Sequence, residues 1–429
     1  MNKPNRITTY IITPDDQPET GSVSATFAGH EEFSLNIISR IPHDNKIISL
    51  KNTVKEIVRL AVKSDEEYIL ICNNEHQFSD KYSTEILFEA IKNAKELNAD
   101  ILCGGINLFW SAVRISETLF WVEDFTGLRF VLLFKSYYKS ILENESKVLP
   151  YTNAKFFIYP FLSIQKKATN ESSPIDPGSK LSDDCSAQVK ILDSVSIFYK
   201  RLDHRMFHLN ENTYNDVSIP TYIINLAERT DRLAHIKDQF HGRNEFDIQI
   251  VEAFKHRIGA VGLWESMRQI IKKAIVAGHE YILICEDDHE FTAHYSKSLL
   301  VRNIMEAQHQ KAEMLAGGIC EFHMAVPITD ERVWVDTSFC TQFIIIFKSV
   351  FEKIINQPFD DSVTADSMLS YLLNNKMVFY PFISTQKHFG YSDVTQQNNE
   401  DKELLTQSFA RENARLKRLY AAKAAYERL

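Results

Sequence analysis

The sequence lacks the features that would place it in a membrane or on a nucleic acid. No apolar run among its 429 residues approaches the roughly 20 residues that a membrane-spanning helix needs. Acidic residues outnumber basic ones and give a net charge of −9, which argues against a phosphate-binding surface of clustered Lys and Arg. The opening residues MNKPNRITTY show no apolar core or cleavage site of a secretory signal. We therefore expect a cytoplasmic protein without a nucleic-acid partner.

Cysteine is also scarce. The six cysteines are scattered, and neither CxxC pairs nor zinc-type His/Cys spacing occurs. Cys72 and Cys285 lie inside apolar segments. The sequence therefore predicts reduced, buried thiols, as is usual in a cytoplasmic protein.

What the chain does have is one sequence pattern written twice. Residues 68–78 read YILICNNEHQF, and residues 281–291 read YILICEDDHEF, 213 positions later. Gly104-Gly105 and Gly317-Gly318 repeat at the same offset. Because this period far exceeds the 20–50 residues of solenoid repeats, it indicates a duplicated domain. We divide the chain into a first domain (1–167), a linker and helix (168–217), a second domain (218–395) and a C-terminal helix (396–429).

Each copy predicts an α/β/α domain with a mixed, mostly parallel sheet, because apolar strands alternate with helical patterns. The all-apolar segment YILIC is typical of a strand covered on both faces. We predict helices over Ala187–Leu209 and Asp401–Leu429. The second of these suits packing or oligomerisation, and a membrane-surface role is a weaker alternative because its basic residues are mixed with acidic ones.

The two copies differ in an acidic cluster, which only the second one has. Glu286, Asp287 and Asp288 directly follow the YILIC strand of the second copy, where the first copy has Asn73-Asn74-Glu75. Ligands bind beyond the carboxyl ends of strands in open α/β sheets. A divalent cation removes the repulsion among such carboxylates and binds diphosphate oxygens as well. The cluster therefore predicts a Mn²⁺ or Mg²⁺ site in the second copy alone.

Three stretches of the second copy resemble a known family. They are Ile223–Arg232, Gly259–Gly262 with Ser266, and Tyr281–Asp288. Together they resemble the family 25 glycosyltransferases, which include bacterial lipooligosaccharide galactosyltransferases and collagen galactosyltransferase domains. The resemblance implies a GT-A-like, Rossmann-like fold, a divalent metal and sugar transfer from a nucleotide donor. The chain departs from the family pattern at Leu263 and Met267, where Cys and His are usual.

The donor site is predicted around the strand ends of the second copy. Arg229 and Arg232 follow a strand end, where guanidinium groups would contact a diphosphate, unless they only pair with Glu228 and Asp231. Gly259 and Gly262 would let the backbone approach a ligand, or they are merely conformational. The predicted donor-binding residues are Asn225, Arg229, Asp231, Arg232, Gly259, Gly262, Glu286 and Asp287.

Metal and catalytic residues complete the predicted site. We expect Asp287, Asp288 and His388 to hold the metal, since His388 follows the last strand of the copy. Transfer with inversion needs a general base near the acceptor hydroxyl. Asp366 is our first choice at a predicted helix start, with Asp361 and Asp360 as neighbouring alternatives. Asp366 or Thr364 would otherwise simply cap that helix.

These patterns together predict a metal-dependent glycosyltransferase that moves a sugar, with UDP-sugars as the expected donors, to a hydroxyl acceptor. A glycan, lipid-linked or peptide acceptor is left open, as are peripheral membrane association and a homodimer through the C-terminal helix. The first copy is expected to be non-catalytic, and Phe109, Trp110 and Trp121 would form either a sugar-stacking surface or core there. Alternatives are a non-catalytic binding scaffold and a nucleotidyltransferase.

Overall fold

The computed structural model describes residues 6–14, 25–165, 186–201, 217–359, 362–390 and 403–427. The chain divides into two compact units. The first comprises Met1–Leu192 with Ala422–Leu429, and the second comprises Asp193–Ala421.

The first unit contains one eight-stranded sheet, in the order β2-β1-β3-β10-β5-β11-β8-β7. The strands of the whole first unit are β1 (Ile7–Thr13), β2 (Phe33–Ser39), β3 (Tyr68–Asn73), β4 (His76–Phe78), β5 (Ile101–Gly105), β6 (Leu108–Phe109), β7 (Ala112–Arg114), β8 (Leu119–Val122), β9 (Phe125–Thr126), β10 (Phe130–Phe134), β11 (Lys155–Ile158) and β12 (Ser163–Gln165). Its helices are α1 (Lys46–Lys63), α2 (Thr84–Glu96) and α3 (Lys135–Glu143). Strands β8 and β10 run antiparallel to both neighbours, so the other six strands share one direction.

Helix α4 (Ser186–Lys200) follows, and the division between the units falls within it. It accounts for the first part of the helix predicted over Ala187–Leu209. The remainder of that prediction, from residue 202 onwards, lies outside the described residues.

The second unit has a sheet of the same size and order, β14-β13-β15-β20-β17-β21-β19-β18. Its strands are β13 (Ile219–Asn225), β14 (Phe246–Glu252), β15 (Tyr281–Glu286), β16 (His289–Phe291), β17 (Met314–Ala316), β18 (Ala325–Pro327), β19 (Arg332–Val335), β20 (Phe343–Phe347), β21 (Lys376–Phe379) and β22 (Ser384–Gln386). Its helices are α5 (Thr230–Phe240), α6 (Gly259–Ala277), α7 (Lys297–His309), α8 (Phe351–Asn356), α9 (Ala365–Leu372) and most of α10 (Leu404–Tyr426), with a 3₁₀ turn at Lys348–Val350. Here β19 and β20 are the two reversed strands.

The fold-class prediction is confirmed: the chain forms two tandem Rossmann-like α/β units on mixed sheets in which most strands share a direction. The apolar side chains of the central strands account for their position in the middle of each sheet. Residues 69–72 of β3 and 282–285 of β15 are fully buried, as expected for strands covered on both faces. The sheet cores thereby fix the positions of the polar residues that follow these strands.

Helix α10 packs along one face on the second unit. Phe409, Leu416 and Leu419 are buried, and the ring of Tyr420 stacks on Tyr380 with centroids 4.0 Å apart. This supports the packing interpretation of the C-terminal helix. Across the described ranges, no helix combines the length and apolarity needed to cross a membrane.

The prediction that every cysteine is a reduced thiol is wrong. Cys320 and Cys340 form a disulfide whose Cα atoms are 6.0 Å apart. Their separation of 20 residues carries no recognisable motif, and the fold brings them together beside the isolated β-bridge between Glu321 and Phe339. Cys72, Cys103 and Cys285 are free and buried, as predicted, and Cys185 lies outside the described residues.

Candidate functional site

The site lies where the order of the second sheet changes direction. From β13 the chain passes first to β14 on one side and then to β15 on the other, so a crevice opens between the carboxyl ends of β13 and β15. Ile224 of β13 is paired with Glu286 of β15, which places the acidic cluster at this crevice.

Asp287 is the most constrained carboxylate of the cluster. Its side chain is 6% exposed. Asn225 donates a hydrogen bond to one carboxylate oxygen at 2.9 Å, and Arg232 donates to the other at 3.1 Å. A guanidinium nitrogen of Arg229 lies 3.9 Å from the same carboxylate. The structure therefore brings four of the predicted donor-site residues together.

Arg232 connects the cluster to the last loop of the unit. It is buried in the first turn of α5 and also donates to Asp288 at 3.2 Å. Its guanidinium carbon lies 4.9 Å from the ring centroid of Phe389. Glu228, its proposed surface partner, forms an ion pair with Lys255 at 3.0 Å, and Asp231 is exposed and outside the cavity lining.

Burial, together with repulsion within the cluster, raises the pKa values of the other two carboxyl groups. Burial, followed by the charge of Asp288, raises the pKa of Glu286 to about 8, although Thr341 donates a hydrogen bond to it at 2.6 Å. Burial and the charge of Asp287 raise the pKa of Asp288 to about 6 against the opposing effect of Arg232. A cation at this place would relieve the part of these shifts that comes from repulsion between the carboxylates.

Asp366 lies in the first turn of α9, as predicted. Its carboxylate accepts hydrogen bonds from the Thr364 hydroxyl, from the Ser367 amide at 2.8 Å and from the Cys340 amide at 3.1 Å. Thr364 makes no capping hydrogen bond with its own side chain. Asp360 and Asp361 lie outside the described residues.

The two predicted glycines belong to helix α6. Gly259 begins the helix, and Gly262 lies one turn in, where a Cβ atom would be 2.6 Å from the carbonyl oxygen of Phe254. Ser266 fixes the same loop by accepting the Phe254 amide at 2.8 Å. Both glycines line the cavity, but the lack of a side chain at Gly262 is already explained by this close packing.

Most of the residues described so far line a cavity of about 970 Å³, which is within the range of ligand sites. Asp287 is buried in its wall, whereas the cationic residues Lys255, Arg257, Lys387 and Arg411 are exposed. The ionisable lining residues are Glu228, Arg229, Arg232, Lys255, His256, Arg257, Glu286, Asp287, Asp288, Glu321, Asp366, Lys387, His388 and Arg411. Such a surface can hold an anionic ligand together with a cation.

A metal ion would find two suitable carboxylates here. Within the described part of the chain, no three His, Cys, Asp or Glu side chains are grouped as a metal centre. Asp287 is engaged with Asn225 and Arg232, and Nδ1 of His388 accepts the amide of Gly390 at 3.1 Å. Arg232 also donates to Asp288, and Thr341 donates to Glu286, but the raised pKa values of these two groups show that their ionised forms are less well balanced. Glu286 and Asp288 therefore fit a cation better, since Mg²⁺ commonly takes one or two carboxylates plus substrate phosphates and water.

The residues just before helix α6 differ from those just before the matching helix α1 of the first unit. Helix α1 is capped by Asn45, which accepts the amides of Ile47 and Ile48. At the 213-residue offset Ile258 occupies this position and supplies no cap, and Arg257 replaces Asp44. Both differences favour an anion near the start of α6.

Sequence reasoning missed several lining residues. Thr341, Arg257 and Cys340 occupy positions where the first copy has Leu128, Asp44 and Gly127, so the offset could have revealed them. Leu405 and Arg411 of α10 were also missed, because the sequence assigns this helix to packing or oligomerisation rather than to the site.

No protein-family model and no curated protein matches the chain at a significant level. Among solved structures it is similar to A197 from STIV, with 8% identity, a TM-score of 0.24 and coverage of 40% of this chain and 98% of that one. A glycosyltransferase involved in glycosylation of the major capsid of PBCV-1 shows 12% identity, a TM-score of 0.21 and coverage of 32% and 68%. UDP-glucose pyrophosphorylase in its apo form shows 12% identity, a TM-score of 0.27 and coverage of 51% and 87%. These scores are too low for the likenesses to bear on function.

Proposed function

We propose that the second unit is a metal-dependent glycosyltransferase of the family 25 type, which transfers a sugar from a UDP-sugar to a hydroxyl acceptor on a glycan, lipid or peptide. One observation carries the proposal: the cavity joins a crowded carboxylate cluster to buried and rim cations at the switch point of the sheet. A nucleoside diphosphate with its divalent cation has the complementary charge pattern.

The residues of this chain have distinct tasks in such a reaction. Arg229 and the rim cation Arg257 would bind the diphosphate, and Arg232 would hold Asp287 in place. Mn²⁺ or Mg²⁺, when bound through Glu286 and Asp288, would stabilise negative charge on the leaving nucleotide.

Asp366 is the group we assign to the acceptor. Its three hydrogen bonds orient the carboxylate at the cavity wall, where it would take the proton of the acceptor hydroxyl. The hydroxyl oxygen bonds to the anomeric carbon as the bond from that carbon to the diphosphate oxygen breaks. UDP leaves, and the configuration at the carbon inverts.

We infer that the first unit is a duplicate that has lost the reaction. The two sheets have the same strand order, and Asn73-Asn74-Glu75 stand in place of the acidic cluster. Phe109 and Trp121 are buried and Trp110 is 45% exposed, so an aromatic sugar platform of all three is not formed.

Isothermal titration with UDP tests the proposal. We expect binding that strengthens with Mn²⁺ and is lost in the double variant Glu286→Ala/Asp288→Ala. The matched variant of the first unit, Asn73→Ala/Glu75→Ala, should bind like the unaltered protein. Absence of UDP binding with and without Mn²⁺ would overturn the proposal.

Product analysis separates the alternatives. With UDP-galactose or UDP-glucose, a glycosyltransferase releases UDP, whereas a nucleotidyltransferase given diphosphate releases UTP and a sugar phosphate. A binding scaffold would bind UDP and turn over neither. We keep the cytoplasm as the proposed compartment, with the Cys320–Cys340 disulfide as the feature that its reducing conditions would act on.

A further inference from the structure

The disulfide lies in the cavity wall, beside the group that we assign to the acceptor. Cys320 and Cys340 both line the cavity. The Cys340 amide donates to Asp366 at 3.1 Å, and the next residue, Thr341, donates to Glu286. One short segment thus orients two carboxylates of the site.

Cys340 adopts an unusual backbone conformation to make this contact. Its φ angle is +79°, in the left-handed region that side chains rarely adopt. Without a further restraint, a non-glycine residue there would favour other conformations and would withdraw its amide from Asp366. The covalent bond to Cys320 is the restraint that the structure provides.

The first unit makes the same turn without a cross-link. Asn107 and Gly127 occupy the positions of the two cysteines at the 213-residue offset. The Asn107 amide bonds to the Thr126 carbonyl at 2.9 Å, as the Cys320 amide does to Phe339 at 3.2 Å. Gly127 has a φ angle of +105°, which costs a glycine little. The fold therefore does not need the disulfide, and the cross-link accompanies the copy that keeps the acidic site.

We propose that the Cys320–Cys340 disulfide is a positioning element for Asp366, so that its reduction slows sugar transfer without unfolding the second unit. The inference rests on the proposed function. A dithiol supplies two electrons: the S–S bond breaks, each cysteine sulfur gains a proton, and the dithiol closes to its own disulfide. The buried thiols Cys72, Cys103 and Cys285 take no part.

The decisive variant removes the cross-link but keeps a side chain at position 340, Cys320→Ser/Cys340→Ser. We expect a folded protein that binds UDP with Mn²⁺ within about twofold of the unaltered affinity but releases UDP from UDP-galactose about tenfold more slowly, because misplacing a reacting group by about 1 Å is costly. Dithiothreitol should slow the unaltered protein to the same extent and leave this variant unchanged. Cys320→Asn/Cys340→Gly, which carries the residues of the first unit, should keep the unaltered rate, because glycine adopts the positive φ angle without a cross-link.

An Asp366→Asn background distinguishes positioning from a general structural effect. There the exchange of both cysteines should slow UDP release no further, since the positioned group is already absent. Equal rates in the oxidised and reduced protein, or an undiminished effect in the Asp366→Asn background, would overturn the inference.

Hydrogen exchange supplies a readout that does not depend on the reaction. On reduction, amides of residues 337–342 should exchange faster, while the matching residues 124–129 of the first unit stay unchanged. If the oxidised protein fails to bind UDP, the proposed function falls. Unchanged exchange at 337–342 would instead count against the disulfide as the restraint.

Discussion

The side-chain amide of Asn225 donates a hydrogen bond of 2.9 Å to the carboxylate of Asp287, and so joins the ends of strands β13 and β15. The bond spans the crevice at the switch point of the second sheet. Arg232 at 3.1 Å and Arg229 at 3.9 Å supply the positive charge beside Asp287. The geometry of the acidic cluster therefore depends on this buried pair.

Replacement of Asp287 should destabilise the second unit. Asp287→Ala removes one of the two carboxylates that form ion pairs with the buried Arg232, and loss of a buried partner costs about 3 kcal/mol. Urea unfolding followed by tryptophan fluorescence would measure the change. Asn74→Ala, at the matching position of the first unit, should change stability by no more than about 0.5 kcal/mol. Equal effects of the two variants would contradict the assigned role of the pair.

Replacement of Asp288 should separate stability from ligand binding. Burial and Asp287 raise the pKa of Asp288 to about 6, so its ionised form is unfavourable in the folded state. We expect Asp288→Asn to stabilise the protein by about 2 kcal/mol at pH 8. The same variant should lose the Mn²⁺-dependent part of UDP binding. A variant that is both more stable and fully Mn²⁺-responsive would exclude Asp288 as a ligand.

Stability should fall as the pH rises. The pKa of Glu286 is raised from 4.5 to about 8, so its contribution is fully present below about pH 4.5 and is lost as the pH passes 8. Melting temperatures between pH 5 and pH 9 would show the fall. In Glu286→Gln the fall should be much smaller, because the neutral amide does not titrate. Parallel profiles for the two proteins would refute the raised pKa.

Gly262→Ala should destabilise the packing of helix α6 against the loop before it, which lines the cavity. The added Cβ atom would meet the Phe254 carbonyl oxygen at 2.6 Å, so helix α6 or the loop before it must move. We expect a loss of about 1–3 kcal/mol, as for other overpacked sites. Val261→Ala, on the same turn, is the control for helix composition. A melting temperature that stays unchanged in Gly262→Ala would show that the loop yields freely.

Arg257→Asp, which restores the charge of the first unit, should weaken UDP binding. We expect about a tenfold loss, or 1.4 kcal/mol, that diminishes at high salt because Arg257 is exposed. Lys272→Asp makes the same charge change on the exposed face of α6, away from the cavity lining. If both variants weaken binding equally, the effect belongs to net charge rather than to the rim.

The sequence predicted the frame of each unit because burial leaves a direct trace in composition. The run YILIC at residues 281–285 has no alternation, and the structure buries its last four residues as a central strand. The offset between the copies then singled out Glu286, Asp287 and Asp288. These three residues follow the end of a strand in the sequence, and they lie at the crevice in the structure.

Contacts between distant segments left no such trace. Nothing in the order of residues indicates that Cys320 meets Cys340, or that Phe254 lies against Gly262. The prediction of a ligand-facing glycine was an inference from residue type, whereas the neighbour that requires it is found only in three dimensions. The wall formed by α10 escaped for the same reason.

The left-handed backbone at Cys340 has a consequence for how this chain could have changed over time. A protein with a cysteine at position 340 but none at 320 has an unfavourable backbone conformation and no cross-link. In the first unit, Asn107 and Gly127 occupy these positions, and the positive φ angle costs Gly127 little. The two cysteines therefore depend on one another: Cys340 alone has an unfavourable backbone conformation, Cys320 alone has no partner for a disulfide, and only the pair forms the cross-link. Such a pair resists drift one substitution at a time, so it should persist or disappear as a unit among descendants of this chain.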